Sequence, residues 1–191
     1  EDVLNADLLF GQLWEISVDG MRLIDDDGNI LLVNDAFCKI FNMHKEQLLN
    51  KPFSVVYTQA EQESALKSYQ QDICKNEIKT FFERENTLWD GIKAWFEFSN
   101  SFLTLTDGHK ITLSVIKEIT ERKKSEIELR ESEYKFKMLF NSANDAVFVT
   151  QLSPEKTYGD FIEVNNVACS RLGYTKEEFL LLSPSAIISQ K

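Results

Sequence analysis

The alternation of apolar and polar positions predicts a hairpin near the start of the chain. Two β-prone runs, Met21–Asp25 and Asn29–Val33, flank an Asp-Asp-Gly turn, which is the arrangement expected for two antiparallel strands. Apolar residues then fall at helical spacing over Ala36–Phe41, where Asn34 or Asp35 can cap the helix. The chain is therefore expected to pass from a hairpin directly into a short helix.

Further helices and then strands are predicted beyond this point. A second short helix, which Pro52 helps to end, precedes a longer amphipathic helix over Gln59–Asn76. The apolar period then shortens to about two, which is typical of strands. The predicted strands are Ile78–Leu88, Ile92–Leu105 and Ile111–Ile116. These elements predict an α+β domain with one five-stranded antiparallel sheet, in which sequential strands are neighbours and the helices share one face.

The beginning of this pattern occurs a second time in the chain. Asp19 and Asp145 stand at equivalent positions 126 residues apart, whereas Asn34 and Asn165 stand 131 residues apart. The second copy therefore has a hairpin tip five residues longer than the first. It reaches Lys191 without a long helix or the last three strands, so we expect a truncated copy whose parent protein continues.

A charged segment without glycine or proline, residues 119–140, joins the two copies. Its apolar positions form a broad but interrupted stripe at helical spacing. This pattern fits a solvated connecting helix or a two-stranded coiled coil equally well. Both alternatives predict a semi-rigid helical rod.

Composition and charge exclude several classes of protein. The formal net charge of −10 argues against nucleic-acid binding, which requires a basic face. No apolar run approaches the roughly 18 residues needed to cross a bilayer. The three cysteines, Cys38, Cys74 and Cys169, form no C-x-x-C pair, so neither a disulfide framework nor a zinc site is expected. A reduced, cytoplasmic compartment is the simplest location, with a parent protein that is either free or membrane-tethered.

Four segments of the chain contain distinctive motifs. They are D-G-M-R-L-I-D-D-D-G-N-I-L-L-V-N-D-A-F at Asp19–Phe37, W-F-E-F-S-N-S at Trp95–Ser101, V-I-K-E-I-T-E-R-K-K at Val115–Lys124 and L-R-E-S-E-Y-K-F-K-M-L-F at Leu129–Phe140. Together these segments resemble the PAS domain family of sensory modules. The last two are similar to the junction between consecutive PAS domains in bacterial sensor proteins. One departure is Glu118, where the family usually has aspartate.

This resemblance implies a PAS-like fold and a division of the chain into four parts. The predicted parts are an amphipathic N-terminal helix (1–18), a first PAS domain (19–118), a helical linker (119–140) and the N-terminal half of a second PAS domain (141–191). No nucleotide-binding, zinc-protease or esterase motif is present, so no catalytic residue is assigned and no metal is expected.

The resemblance also bears on cofactors, because PAS domains leave room for a ligand between helices and sheet. Haem-binding members use a histidine on the long helix, and Gln59–Asn76 contains none; His44 and His109 are expected at the surface. Photoactive flavin members carry a cysteine near Lys51–Ser54, where this chain has no thiol. Haem and covalent flavin are therefore disfavoured, whereas a noncovalent small ligand, including flavin, stays open. Cys38 and its equivalent Cys169 are expected to pack rather than to sense redox state.

Candidate ligand-binding residues follow from the face expected to lie under the helices. They are Phe37, Phe53, Asn86, Phe96, Phe98, Ser114 and Ile116. A self-filled aromatic core is the simpler interpretation of this set. A pocket for a small apolar or aromatic metabolite, oriented by a few polar groups, is the alternative.

The expected function is sensing and signal relay in a bacterial two-component sensor histidine kinase. A ligand or partner would shift the sheet, and the shift would enter the linker through Glu118, Ile119, Thr120 and Arg122 and reach an output kinase domain. A homodimer is expected, with no nucleic-acid or membrane contact in this region. One alternative is a ligand-free dimerisation scaffold, in which apolar residues of the N-terminal helix cover a partner; these are Val3, Leu4, Leu8, Leu9, Phe10 and Leu13. Another is the sensor part of a diguanylate cyclase.

Overall fold

The computed structural model describes residues 6–106, 108–152, 158–184 and 187. The chain divides into two compact units, one ending at Lys124 and the other beginning at Ser125. Several predicted features fall outside the described residues: Val3 and Leu4, Asp107 of the last turn, most of the longer hairpin tip of the second copy (153–157), and Ser185.

The first unit holds five strands and most of the helices. Its strands are β1 (Gly20–Ile24), β2 (Ile30–Val33), β3 (Phe81–Thr87), β4 (Lys93–Thr104) and β5 (Lys110–Glu118). Its helices are α1 (Ala6–Ile16), α2 (Asp35–Phe41), α3 (Lys45–Leu48), a 3-10 turn (Phe53–Val56) and α4 (Gln59–Cys74). The long helix α5 (Thr120–Ser142) begins in this unit and continues into the second.

All five strands pair antiparallel in one sheet with the order β2-β1-β5-β4-β3. This confirms the predicted α+β class and the five-stranded sheet. The expectation that every neighbour is sequential was wrong at the centre, where Gly20 of β1 pairs with Ile116 of β5. Because three helices and a 3-10 turn carry the chain from β2 to the far edge, the last strand returns to the middle of the sheet.

The boundaries of the short helices follow from local capping. The side chain of Asn34, rather than Asp35, caps α2 by accepting the Phe37 N–H at 2.9 Å. Pro52 was expected to end a helix, but α3 already ends at Leu48 and Pro52 instead precedes the 3-10 turn. Proline suits the start of a helical turn because its φ is preset and no N–H partner is needed there.

An aromatic core joins the helices to one face of the sheet. Phe37 and Phe41 of α2 are almost fully buried, and the Phe41 ring stacks on Phe96 of β4 at 5.4 Å. Phe98 lies two residues along the same strand face, 4.8 Å from the ring of Phe82. The helices therefore lie on one face of the sheet, as predicted.

The second unit repeats the first part of the first. It contains the end of α5, the hairpin β6 (Phe148–Leu152) and β7 (Tyr158–Val164), and the helices α6 (Asn166–Leu172) and α7 (Lys176–Leu180). Its small core consists of Phe161, Val164, Ala168 and Phe179. The order of elements matches that of α1 to α3, which confirms a second, truncated copy.

One buried asparagine organises each copy in the same way. Asn34 accepts the N–H of Met21 as well as that of Phe37, and its amide donates to the carbonyls of Trp14 and Asp19. Asn165 makes the four equivalent bonds, at 2.9–3.0 Å, to Val147, Ala168, Phe140 and Asp145. Each asparagine thus fixes an entering helix, the hairpin and the following helix at a single point.

Candidate functional site

The first unit encloses a cavity of about 350 Å³ between the inner face of the sheet and α4. Its floor is formed by side chains of four strands, and its sides by the 3-10 turn and α4. The residues that line its buried part are Arg22, Ile24, Phe53, Tyr57, Asn86, Phe98, Thr112 and Ser114. A cavity of this size fits a small metabolite, so the aromatic core does not fill the space completely.

Arg22 places a positive charge at the floor of this cavity. It lies on β1 directly opposite Ser114 of β5, and only 4% of its surface is exposed. Burial lowers the pKa of the guanidinium from its ordinary value, although arginine stays charged in proteins. The guanidinium carbon lies 4.7 Å from the centre of the Phe53 ring, and Nη1 makes a long 3.5 Å contact with the Phe53 carbonyl.

No carboxylate neutralises Arg22 among the described residues. None of their ion pairs includes it, and the groups that act on its charge are the hydroxyls of Tyr57 and Tyr69. Buried charges in proteins are ordinarily paired. Arg22 therefore stands as a buried cation held by aromatic rings, a carbonyl and a phenol.

Three buried polar atoms at the cavity have no hydrogen-bond partner: Arg22 Nε, Asn86 Oδ1 and Ser114 Oγ. Most buried polar side-chain atoms in folded proteins are hydrogen-bonded, so each exception requires a reason. Only two other buried side-chain atoms of the described residues lack a partner, on Trp14 and Glu61, and neither residue lines the cavity. The unpaired groups thus concentrate where a ligand would contact them.

The helix that covers the cavity is held by the hairpin turn. Tyr69 of α4 donates its hydroxyl to the Asp25 carbonyl at 2.9 Å and lies 2.9 Å from Thr112 Oγ1. Gly28 has a positive φ of 93°, and a Cβ there would meet Leu66 of α4 at 2.6 Å. Burial raises the pKa of Tyr69, so this hydroxyl stays protonated and keeps α4 in place.

The predicted ligand residues separate into two groups. Phe53, Asn86, Phe98 and Ser114 line the cavity. Phe37, Phe96 and Ile116 are fully buried in the core and do not line it. Sequence reasoning missed Arg22, Tyr57, Tyr69 and Thr112. A signal for Arg22 was present, because it alternates with Gly20 and Ile24 on the inward face of a predicted strand.

A junction at the start of α5 connects the sheet to the linker. Ile119 is buried, and its N–H donates to the Trp95 carbonyl at 2.8 Å. Thr120 Oγ1 accepts the Trp95 N–H and donates to the Glu118 carboxylate at 3.0 Å. All four predicted relay residues therefore contact β4. Glu118 pairs with Phe96 in the sheet, Ile119 and Thr120 bond the Trp95 backbone, and Arg122 pairs with Glu97.

Glu83 links this junction to the cavity. It lies on β3, lines the cavity and pairs with Lys123 at 2.6 Å and with Arg122 at 2.5 Å. Arg122 also reaches Glu97 of β4 at 3.3 Å. Hydrogen bonds from Lys123 and Arg122 hold the pKa of Glu83 below its ordinary value, so the carboxylate is charged at neutral pH. Glu83 is paired with Glu97 and follows inward-facing Phe82, so its carboxylate lies on the outer face of the sheet, where it pairs with the first turn of α5, while the strand residue itself borders the cavity.

The cysteines and histidines show no sign of metal or redox chemistry within the described part of the chain. No group of three potential metal ligands occurs there, and the three cysteines form no disulfide. Burial raises the pKa of the Cys38 thiol, which makes it less reactive. None of the described helices is long and apolar enough to cross a membrane.

Comparison with protein families identifies the class of the chain. Two PAS domain family models match it, one over residues 18–121 and the other over residues 134–189. The first match covers more than half of the chain, so the chain belongs to the PAS domain family. The resemblance found in the sequence is confirmed, and so is the second copy.

Among curated proteins, the chain is similar to sporulation kinase E of Bacillus subtilis (strain 168). The two are 28% identical over 186 residues, which cover 94% of this chain and 23% of the kinase. The chain therefore corresponds to less than a quarter of that relative.

Solved structures agree on the fold. The PAS domain of a Colwellia psychrerythraea protein matches with a TM-score of 0.52 and 17% identity, covering 61% of this chain and 99% of that one. The PAS domain of Bordetella pertussis BvgS matches with a TM-score of 0.50 and 18% identity, covering 69% and 99%. At these identities the similarity establishes the PAS fold.

Proposed function

We propose that this chain is the sensory and signal-relay region of a bacterial two-component sensor histidine kinase. Its first domain senses a small noncovalent ligand, and the linker passes the change to an output kinase domain. The observation that carries the proposal is Glu83, a residue of β3 that borders the cavity and whose carboxylate pairs with the first turn of α5 on the opposite face of the sheet. Similarity to sporulation kinase E supports a kinase as the output.

The signal enters the linker by two connected routes. Ser114 and Thr112 of the cavity floor lie on β5, the strand that leads through Ile119 into α5. Glu83 provides the second route through Arg122 and Lys123. Each exposed ion pair contributes only about 1 kcal/mol or less, so the network sets the orientation of the helix rather than the stability of the domain. A ligand shifts the equilibrium between linker states by its difference in affinity for them.

The second copy receives the signal at the other end of the linker. The Asn165 amide donates to the carbonyl of Phe140 in the last turns of α5 and to that of Asp145. A rotation of α5 therefore acts on the point that also holds β6 and α6. In this proposed function the two domains are residues 19–118 and 141–191, the linker is residues 119–140, and the region lies in the cytoplasm.

The experiment that tests this function is the Glu83→Gln variant in the parent kinase. It keeps the size of the side chain and removes the charge that Arg122 and Lys123 hold. We expect autophosphorylation to change by about fivefold or more, the usual size of coupling between sites. Glu85→Gln is the matched control, because Glu85 is an exposed residue of the same strand that does not line the cavity. Equal activity of Glu83→Gln and the wild type would refute the relay.

A second candidate function, dimerisation, is favoured by the surface of α1. Leu9, Phe10 and Leu13 are exposed apolar side chains on this helix, between 39% and 55% accessible. A homodimer through α1 is compatible with sensing, and without a ligand it would make the region a scaffold. Sedimentation of Leu13→Glu tests this: we expect a monomer, and an unchanged mass would exclude an α1 interface.

A further inference from the structure

The charge of Arg22 is the feature of the molecule that the fold leaves least explained. Transfer of an isolated cation out of water costs several kcal/mol, and native proteins compensate for it with a counter-ion. Here the compensation consists of the Phe53 ring, a long contact to the Phe53 carbonyl and the Tyr57 hydroxyl. These groups supply partial negative charge but no anion.

The second copy shows that the PAS fold does not require a cation at this position. The equivalent of Arg22 is Phe148, whose ring packs at 5.6 Å from both Phe161 and Phe179. A hairpin of the same kind, held by the same asparagine network, is thus completed with an apolar ring. The architecture common to the two copies therefore does not explain why a charged side chain is buried at position 22.

The unpaired polar atoms of the cavity indicate which chemical groups a ligand must have. Arg22 Nε and Ser114 Oγ are unpaired donors on side chains that face each other across β1 and β5. Directly opposite side chains of antiparallel strands lie about 5 Å apart, so one carboxylate can accept from both. Asn86 Oδ1 is an unpaired acceptor on β3, which is two strands away from β5 in the sheet. The walls between these points are apolar: Ile24, Phe53 and Phe98.

We propose that the cavity binds a small organic monocarboxylate, with its anionic end on Arg22 and Ser114 and an apolar body against Phe53 and Phe98. A hydroxyl or amino group at the far end of the ligand would donate to Asn86. This inference rests on the proposed sensory function and names the class of compound that is sensed.

The other charged residues of the cavity lie toward its rim and do not take the place of Arg22 as the partner of a bound anion. Glu77, Lys79 and Arg84 are exposed, Asp72 is partly exposed, and Glu83 pairs with the linker. Among the described residues that line the cavity, Arg22 alone is both charged and buried. An anion that enters the cavity therefore finds its counter-charge at the floor.

Calorimetric titration of the full chain tests the proposal with pairs of probes that differ only in charge. The pairs are benzoate and benzamide, phenylacetate and phenylacetamide, and 3-methylbutanoate and 3-methylbutanamide. We expect at least one carboxylate to bind, its amide to bind roughly tenfold more weakly or not at all, and Arg22→Met to lose that difference. Arg84→Met is the matched control, because it removes the same charge from the exposed rim of the cavity and should weaken binding much less than Arg22→Met.

The outcomes separate this inference from the proposed function. If amides bind as well as carboxylates, or if Arg84→Met weakens binding as much as Arg22→Met, the anion site is wrong while the sensory cavity stands. If none of the carboxylates binds, the inference is also overturned, and Glu83→Gln in the parent kinase still decides the relay. Inorganic phosphate binding as tightly as the carboxylates would contradict the requirement for an apolar body.

Discussion

The two copies begin with the same architecture and differ at the position where the first has its cavity. Asn34 and Asn165 make the same four hydrogen bonds, and α2 and α6 have the same length. On the hairpin, however, the first copy has buried Arg22 and the second has Phe148 in a cluster of rings. The shared asparagine belongs to the common architecture, whereas the arginine is found only where there is a cavity, which supports the proposal that it binds a ligand.

The largest expected effect is loss of the shared asparagine. Asn34→Ala should lower the free energy of unfolding of the first unit by about 3–4 kcal/mol, because it removes four hydrogen bonds of about 1 kcal/mol each. Asn165→Ala should cost the second unit a similar amount. Hydrogen exchange measures the two units separately in the full chain.

Exposed Asn166, next to Asn165, provides the control for this comparison. Asn166→Ala should change stability by less than about 0.5 kcal/mol. If the losses of unfolding free energy in Asn34→Ala and Asn165→Ala differ strongly, the asparagine does not have the same structural role in the two copies.

A smaller effect of opposite sign is expected at Arg22. Arg22→Met should leave the stability of the first unit unchanged or raise it by up to about 2 kcal/mol, because replacement of a buried charge by an apolar side chain of similar size is often stabilising. Phe148→Ala in the second copy should instead destabilise its unit, since ring contacts are lost. Thermal and urea unfolding measure both changes. A clear loss of stability in Arg22→Met would mean that the arginine is structural.

The smallest effect concerns a lysine that both copies retain with different partners. Lys45 pairs with Asp35 and Glu15, whereas its equivalent Lys176 pairs with Glu163. A hydrogen bond from Lys45 lowers the pKa of Asp35. The Lys45–Asp35 ion pair therefore stabilises the folded first unit fully above the ordinary pKa of aspartate. This stabilisation is lost as the pH falls through the lowered pKa of Asp35.

We expect the Asp35 pKa to rise in Lys45→Met and to stay unchanged in Lys176→Met, as measured by NMR of the side-chain carboxyl. The stability difference between Lys45→Met and the wild type should disappear in acid. If Lys45→Met stays less stable than the wild type below the pKa of Asp35, the loss of stability comes from packing of the lysine side chain and not from the ion pair.

The sequence predicted the parts of the structure that depend on local pattern. The hairpin and the repeat follow from residue types at short range, and the structure confirms them. Of the two residues expected to cap α2, Asn34 or Asp35, the structure selects Asn34. The pairing of β1 with β5 could not be predicted in this way, because it joins residues more than 80 positions apart. The helix limit at Pro52 was wrong because proline favours the start of a helical turn as readily as the end of one.

The candidate site was only partly predictable for a related reason. Phe98 and Ser114 were expected on the inward face of the sheet and line the cavity, because alternation along a strand identifies its inward face. Phe96 and Ile116 share that alternation but lie over the filled part of the core, a distinction that depends on where the helices stop. Arg22 was missed because a charged residue is expected to point outward.

A carboxylate bound in the first domain would contact Arg22 at Nε. NMR titration of the Arg22 Nε–H resonance in the full chain with phenylacetate detects this contact, with phenylacetamide as the reference. We predict a saturable downfield shift with the acid and none with the amide, because Nε gains a charge-assisted hydrogen bond only from the carboxylate. A resonance that does not move while other cavity residues respond to phenylacetate would show that the carboxylate binds without Arg22.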